Sequence, residues 1–401
     1  MTLSNRGLFS QLLHVFPRNE FASLVDKHQA ERYSKGFTCF AQFVATLFCH
    51  LAHAESLREI ENGLRSCMGK LRHLGLSRAP AHSTLSYANA HRTTALFADV
   101  FFSTLQRHLA QSMLGPHQHP FRFKNKLLSL DATIISLSLK AFPWADYNRT
   151  KGGIKLHVVL NHADYLPEYA CISEARRHEI TYARTLELPP GSLVAMDRAF
   201  KDFRLLSAWN ERGVFFVTRH KADVRYVVRE RRAVPDKGNI ISDELVELGA
   251  KKTKGRYRPL IRRIGVLCED SQGQQRVLFL LTNQLKFAAS TIAAIYKERW
   301  QIELFFKALK QNLTLRSFVG ANENAMRIQI WTALIVMLLL KWLHYLSQYR
   351  CSLNNLATAI RLNLFTYRDL QRFLNDPWDP PPEPPGPRQL RLTFGDLGQP
   401  K

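Results

Sequence analysis

The chain is short of acids. It has 33 Asp and Glu against 56 Lys and Arg, a formal net charge of +23 over 401 residues. Such an excess says little about fold but favours a polyanionic partner, either nucleic acid or an anionic membrane surface. Long apolar runs are also missing. The longest, Ile330 to Leu340 ("IWTALIVMLLL"), ends at Lys341 and falls short of the roughly 20 residues a spanning helix needs, so it reads as a buried core helix. The N-terminus lacks an apolar signal core and a small-residue cleavage site, which predicts a cytoplasmic, nucleoid-associated protein of bacterial type with no membrane partner. The six cysteines are scattered and none forms a CxxC pair, which excludes a disulfide scaffold and a zinc ribbon. Fifteen histidines include no HExxH. No internal repeat is seen, and no motif for a nucleotide cofactor stands out.

What is present is a chain with 46% apolar residues, enough for real cores, and too long for one of ordinary size. Residues 1–115 have helical periodicity and are expected to form a helical N-terminal DNA-binding domain, with Ser83 or Thr84 the expected N-cap of a helix running past Phe97. Their basic residues are spread out, and each is as well explained by a solvated surface as by DNA contact. After "LGPHQHPFRFKNK" the period falls to two. Leu127–Leu139, Gly152–Asn161 and Glu168–Glu179 read as three antiparallel strands. "GSLVAMDRAF" reads as a fourth strand, "KDFRLLSAWNERG" as a helix closed by Gly213, and "VFFVTRHK" as a fifth strand. This β-β-β-α-β-α-β order predicts an α/β fold with a ribonuclease-H-like mixed sheet over residues 122–320. A β-rich insertion at 221–285 contains the basic run Lys251 to Arg263, which fits DNA or a charged loop. Residues 321–375 read as helical, and 376–401 as a proline-rich tail.

Three acids stand out. Asp131 and Asp197 lie inside apolar strands, where a carboxylate is costly unless paired or ligated. Hard oxygen ligands side by side suit Mg²⁺ or Mn²⁺ rather than zinc. Glu303 lies in "YKERWQIELFFKALK". On an ideal helix Arg299, Glu303 and Lys310 fall at roughly −60°, −20° and −40° from Tyr296, with Lys307 at roughly +20°. Ile302, Phe305 and Leu309 face the other way. The polar stripe would be about 21 Å long, which suits a phosphate backbone running along it. Arg198, and Lys155 with His157 on one face of the second strand, are further expected DNA contacts beside the acids. Asp164 and Asp202 are rival carboxylates, each explained locally: one in a turn, the other at a helix start.

The spacing Tyr296-x2-Arg299-x3-Glu303-x6-Lys310, with "SLDATII" and "MDRAF" upstream, resembles the DDE transposases of the insertion-sequence-4 family. The resemblance covers most of the chain, including "FSQLLHVFPRNEF". It implies that Asp131, Asp197 and Glu303 are catalytic and hold two Mg²⁺ or Mn²⁺ ions. It implies that Tyr296, Arg299 and Lys310 grip phosphates of double-stranded DNA at the ends of a mobile element. It also implies cut-and-paste transfer through hairpin ends by a homodimer in a synaptic complex, with a flipped base stacked on an aromatic of the insertion. The insertion has no Trp from Val214 to Asn283, leaving Phe215, Phe216, Tyr226, Tyr257 and Phe279. The alternatives are an inactive DNA-binding descendant and a ribonuclease-H-like nuclease that does not join strands.

Overall fold

The computed structural model describes residues 6–32, 34, 36–67, 70–110, 121–137, 146–148, 151–220, 226–234, 238–248, 259–269, 272–315 and 317–378. The chain starts with six helices: α1 (Leu8–Leu13), α2 (Arg18–Lys27), α3 (Cys39–Ala52), α4 (Leu57–Arg65), α5 (His82–His91) and α6 (Thr94–Ala110). Local chemistry sets several of their starts. Thr38 caps α3 by accepting the Ala41 N–H at 3.1 Å. Ser56 caps α4 by accepting the Glu59 N–H at 3.2 Å, and the Glu59 carboxylate accepts from the Ser56 hydroxyl and the Glu55 N–H, both at 3.0 Å. The expected cap at Ser83 or Thr84 is not used. The helix α5 begins at His82, and its cap position, Ala81, offers no side chain. Glu61, reaching over from α4, accepts the His82 backbone N–H at 2.9 Å instead. A tertiary partner has replaced the local one.

Among the described residues ten strands form one sheet: β1 (Leu127–Leu137), β2 (Asp146–Asn148), β3 (Lys151–Asn161), β4 (Leu166–Glu174), β5 (Leu193–Met196), β6 (Phe215–Arg219), β7 (Tyr226–Arg231), β8 (Ile240–Leu248), β9 (Ile261–Glu269) and β10 (Gln275–Thr282). The core order is β4-β3-β1-β5-β6, with β1, β3 and β4 antiparallel and β5 and β6 parallel to β1. That is the ribonuclease-H-like arrangement expected from the sequence. The helix α8 (Phe203–Glu211) makes the crossover between β5 and β6 and ends with Gly213 at φ 71°. The insertion does not leave the sheet: β10 pairs with β6, and β9, β8 and β7 continue outward. The third strand ends at Glu174 rather than Glu179, because Glu179 opens a short helix, α7 (Glu179–Ala183).

Within the insertion the sequence pattern picks out strands at 223–232, 260–270 and 274–283, which are β7, β9 and β10, but not β8. Its acids Asp243 and Glu244 interrupt the apolar alternation, and each is matched to an arginine of β9. Arg262 forks onto Asp243 at 2.6 and 2.8 Å, and Arg263 reaches Glu244 at 2.9 Å.

The faces of the sheet are covered differently. Leu128, Leu130, Met196 and Phe216 pack under α7 and α8 with Phe200, Leu206 and Trp209. The other face carries α9 (Ala289–Glu298) over β5 and β6 and α10 (Trp300–Asn312) over β1. Its apolar residues Ile135, Leu156 and Val158 share one core with Ile302, Phe305 and Leu309, the N-terminal helices and α11 (Glu323–Leu346). Two short helices, α12 (Leu353–Asn363) and α13 (Leu370–Asn375), follow. The helix α11 is long and apolar enough to cross a membrane, with a window of mean hydropathy 1.5, but 83% of that window is buried within this fold. It is the core helix, containing the Ile330–Leu340 run.

Candidate active site

Asp131 and Asp197 are brought together by register. Leu130 pairs with Met196 across the parallel strands β1 and β5, so the next step places the two aspartates abreast, at the carboxyl end of β5. Strand alternation turns both toward the face covered by α9 and α10. Carboxyl ends of parallel strands are where α/β sheets bind ligands. Asp131 accepts the Ala132 N–H at 2.8 Å, and the Asp197 carbonyl is 3.4 Å from the Thr218 hydroxyl. Burial pushes the Asp131 carboxyl up to about 6, and the charges of Glu303 and Asp197 push the same way, against Arg299. Glu303 and Asp197 thus stand near enough to Asp131 to act on it electrostatically.

The helix expected from Tyr296 to Lys310 is two helices. At Arg299 the α pattern lapses for one residue: Arg299 N–H donates to Tyr296 O and Ile302 N–H to Arg299 O, both three residues back and both at 3.2 Å. The polar stripe is consequently bent. Tyr296 belongs to α9 and is half-buried with Ile292 and Ile295, while Glu303, Lys307 and Lys310 belong to α10. The reason lies in the sheet beneath. The chain must pass from packing over β5 and β6 to packing over β1, and Arg299 sits at the corner.

At that corner the Arg299 guanidinium lies 2.6 Å from Glu303 and 3.5 Å from Asp131. Burial would lower the Arg299 pKa, but Glu303, Tyr296 and Asp131 hold it raised. Its carbon is 5.7 Å from the Tyr296 ring centroid. Lys310 reaches down to β1, donating to the Thr133 hydroxyl at 2.7 Å and the Ile134 carbonyl at 3.0 Å. Lys307 and Arg198 are exposed. Behind the site Ser129 Oγ is 2.7 Å from His162 Nε2, and His162 Nδ1 is 3.9 Å from Glu298, tying β1 and the β3–β4 turn to the end of α9.

Two expected neighbours are elsewhere. Lys155 and His157 pair with Ile134 and Ala132, so the register turns them to the sheet face opposite Asp131. There Lys155 bonds the Arg177 carbonyl at 3.0 Å and lies 3.4 Å from Glu179, while His157 packs on Tyr182. Both are buried for structural reasons. The rival acids are also explained locally. Asp202 caps α8 through the Leu205 N–H at 2.9 Å, and Asp164 accepts the Leu166 N–H at 2.8 Å in its turn.

The insertion's basic run is partly consumed within the protein. Arg262 is 2% exposed on Asp243, and Arg263 stacks over Phe279 at 3.6 Å and Tyr226 at 4.6 Å. Lys251 to Arg258, including Tyr257, lie outside the described residues. Of the four described candidates, Phe216 is buried, Phe215 packs half-buried against the core beneath α9, and Tyr226 and Phe279 stack on Arg263. Trp300 follows Arg299, is 55% exposed, and has Leu304, 42% exposed, one turn further on. Its sequence signal is an aromatic on the polar side of the helix, at roughly +40° from Tyr296 and beside Lys307.

Among the described residues no three His, Cys, Asp or Glu side chains already form a group that could hold a metal ion. The donor set nevertheless fits a hard divalent ion: three carboxylates and no sulfur or imidazole, with the Arg299 guanidinium standing in as counter-charge to two of them.

A ribonuclease-H-like sheet with acids at the ends of its central strands and on a covering helix defines the DDE class of phosphoryl-transfer proteins. The sequence signature described as "Transposase DDE domain" matches residues 122–339, and residues 4–77 match a domain of unknown function (DUF4372). The chain is 32% identical over 321 residues to a putative transposase y4zB of Sinorhizobium fredii, covering 79% of this chain and 85% of that one. It is 29% identical over 225 residues to a probable transposase for insertion sequence element IS5377 of Geobacillus stearothermophilus, covering 56% and 58%. Among solved structures it is similar to the piggyBac transposase synaptic complex with hairpin DNA, at a TM-score of 0.45 and 10% identity, covering 94% of this chain and 83% of that one. The chain belongs to the DDE transposases of insertion-sequence-4 type. It is a transposase, an enzyme that acts on DNA.

Proposed function

We propose that this transposase binds the terminal inverted repeats of its own insertion sequence, cuts there with Mg²⁺ or Mn²⁺, and joins the freed strand to target DNA. The observation that carries the reading is the convergence of Asp131 and Asp197, abreast on β1 and β5, with Glu303, linked to Asp131 through Arg299. These three carboxylates would hold two divalent ions. Bound there, the ions would make an attacking water or 3′-hydroxyl more acidic and stabilise the leaving oxygen of an in-line displacement at phosphorus.

The chain's own groups supply positioning. Tyr296, Arg299, Lys307 and Lys310 lie along the bent α9–α10 ridge, and Arg198 stands exposed beside Asp197. Together they offer one tyrosine and four cations to a phosphate backbone. Lys155 has no part in this grip. Among the described residues Trp300 is an exposed aromatic next to Arg299, and it would stack on a base beside the reacting phosphate, so hairpin formation with a flipped base would draw on α10. Two copies would pair two element ends.

The test is a labelled duplex carrying the element's end, incubated with protein and Mg²⁺. Nicking at the element boundary that is abolished by chelator, followed by joined products with a target duplex, supports the proposal. Nicking with no joined product leaves a nuclease, and binding without any nicking leaves an inactive DNA-binding descendant.

A further inference from the structure

The N-terminal helices carry a surface that the chemistry above does not use. From Ser66 to Ala98 the sequence has no Asp or Glu, yet it contains Lys70, Arg72, Arg78 and Arg92. The helix α5 lies within this stretch. Its inner side is fixed: Leu85, Ala88 and Asn89 are buried, Gln42 donates to the Asn89 side chain at 2.7 Å, and Asn324 of α11 donates to its carbonyl at 2.9 Å. Its outer side shows Ser83, Thr84, Ser86, Tyr87 and His91.

Among the described residues none of the four hydroxyls on that side bonds the rest of the protein, and none of them caps the helix, since Glu61 does that work. Tyr87 is 68% exposed and held upright by its stack on His91, with centroids 4.1 Å apart and planes 23° from parallel. A solvated helix face needs no ordered tyrosine and ordinarily mixes both signs of charge. This face offers short hydrogen-bonding groups and an aromatic. The exposed Arg72 and Arg78 stand in the segment leading to it.

We infer that α5 is the helix that reads the base edges of the element end in the major groove, and that Arg72 and Arg78 seat it on the flanking phosphates. Ten residues at 1.5 Å each give a helix about 15 Å long, which the major groove admits. Serine and threonine hydroxyls address bases as donor or acceptor, and a tyrosine can contact a base or a phosphate. Residues 66–81 separate α4 from α5, too many for a helix-turn-helix, so the assignment rests on the face itself. It also rests on the proposal that the protein binds its own element ends, and gives that binding its specificity-determining residues.

The experiment measures equilibrium binding of the full chain, at one fixed salt concentration, to a duplex carrying the element end and to a scrambled duplex of equal composition. Ser83→Ala, Ser86→Ala and Tyr87→Ala combined should lower the end-to-scrambled preference by about tenfold or more and leave scrambled-duplex binding within about twofold. Each single variant should lose part of the same preference, which covers the case in which the combined variant folds poorly. Arg72→Gln with Arg78→Gln should weaken both duplexes alike and reduce the salt slope by about two. If the wild-type protein shows no preference for its end, the proposal of end binding fails. If it shows one that the α5 variants retain in full, α5 is not the reading helix while end binding stands. A change of oligomeric state in those variants with preference intact would make the face a protein contact and overturn the assignment.

Discussion

The Arg299 guanidinium lies 3.5 Å from the Asp131 carboxylate, a residue 168 positions earlier in the chain. The same guanidinium is 2.6 Å from Glu303. An arginine so placed neutralises carboxylates that would otherwise repel one another in a partly buried site. It also occupies the space between two of the groups that would bind an ion.

It follows that Arg299 competes with divalent ions when DNA is absent. Arg299→Gln should bind Mn²⁺ in the DNA-free state several-fold and up to roughly tenfold more tightly than the wild type, because one opposing positive charge is gone. Cleavage should nonetheless fall by about a hundredfold or more, since a phosphate contact is lost. Titration calorimetry or manganese resonance reads the first effect and nicking the second. Weaker Mn²⁺ binding by the variant contradicts the counter-charge role.

Asp131 gives a pH signature. Its carboxyl is raised to about 6 in the fold by burial, then by Glu303 and Asp197, against an ordinary value near 3.8. The folded state therefore binds the proton more tightly than the unfolded state, and stability falls as pH rises from about 4 to about 6. In chelator, Asp131→Asn should be more stable than wild type at pH 8 by about 1–2 kcal/mol, discounted for partial solvent access and the lost Arg299 contact. The gap should close near pH 4. Urea midpoints at the two pH values decide it, and a gap of equal size at both would count against the burial argument.

Arg262 and Asp243 form a two-point ion pair in which both side chains are almost wholly buried. The Arg262 guanidinium also bonds the Phe287 carbonyl. Arg262→Met should cost about 3–5 kcal/mol by leaving Asp243 buried without a partner, while Arg262→Met with Asp243→Leu should recover most of that loss. Denaturant unfolding of the three proteins measures both. An additive double variant would mean that the pair is not the source of the cost.

Much of this was legible in the sequence for identifiable reasons. Asp131 and Asp197 stand out in the sequence because a charge within or at the end of an apolar strand is costly without a partner, and the β1–β5 register sets them abreast. The strand order followed from short period-two runs between turn residues, and Gly213 marked the end of α8 because its left-handed backbone favours glycine. The failures came where a tertiary partner overrode a local signal. Glu61 caps α5 in place of Ser83 or Thr84. Asp243 and Glu244 hide β8 because their partners are on β9. Lys155 and His157 have the right residue types, but only the β1–β3 register shows that they face away from Asp131. The bend at Arg299 has no proline or glycine to mark it, and it reflects where the underlying strands lie. Trp300 was overlooked because an exposed tryptophan looks the same in sequence as a buried one.

The central claim is that Asp131, Asp197 and Glu303 make one ion-dependent cutting site on a protein that holds its DNA by other residues. The direct measurement is Mg²⁺-dependent nicking of an element-end duplex by Asp131→Asn, Asp197→Asn and Glu303→Gln, with binding of the same duplex measured in parallel. Each variant should cut at least about a thousandfold more slowly than wild type while binding the duplex within a few-fold of it. Cutting at near wild-type rate by any of the three would remove that residue from the site and contradict the account.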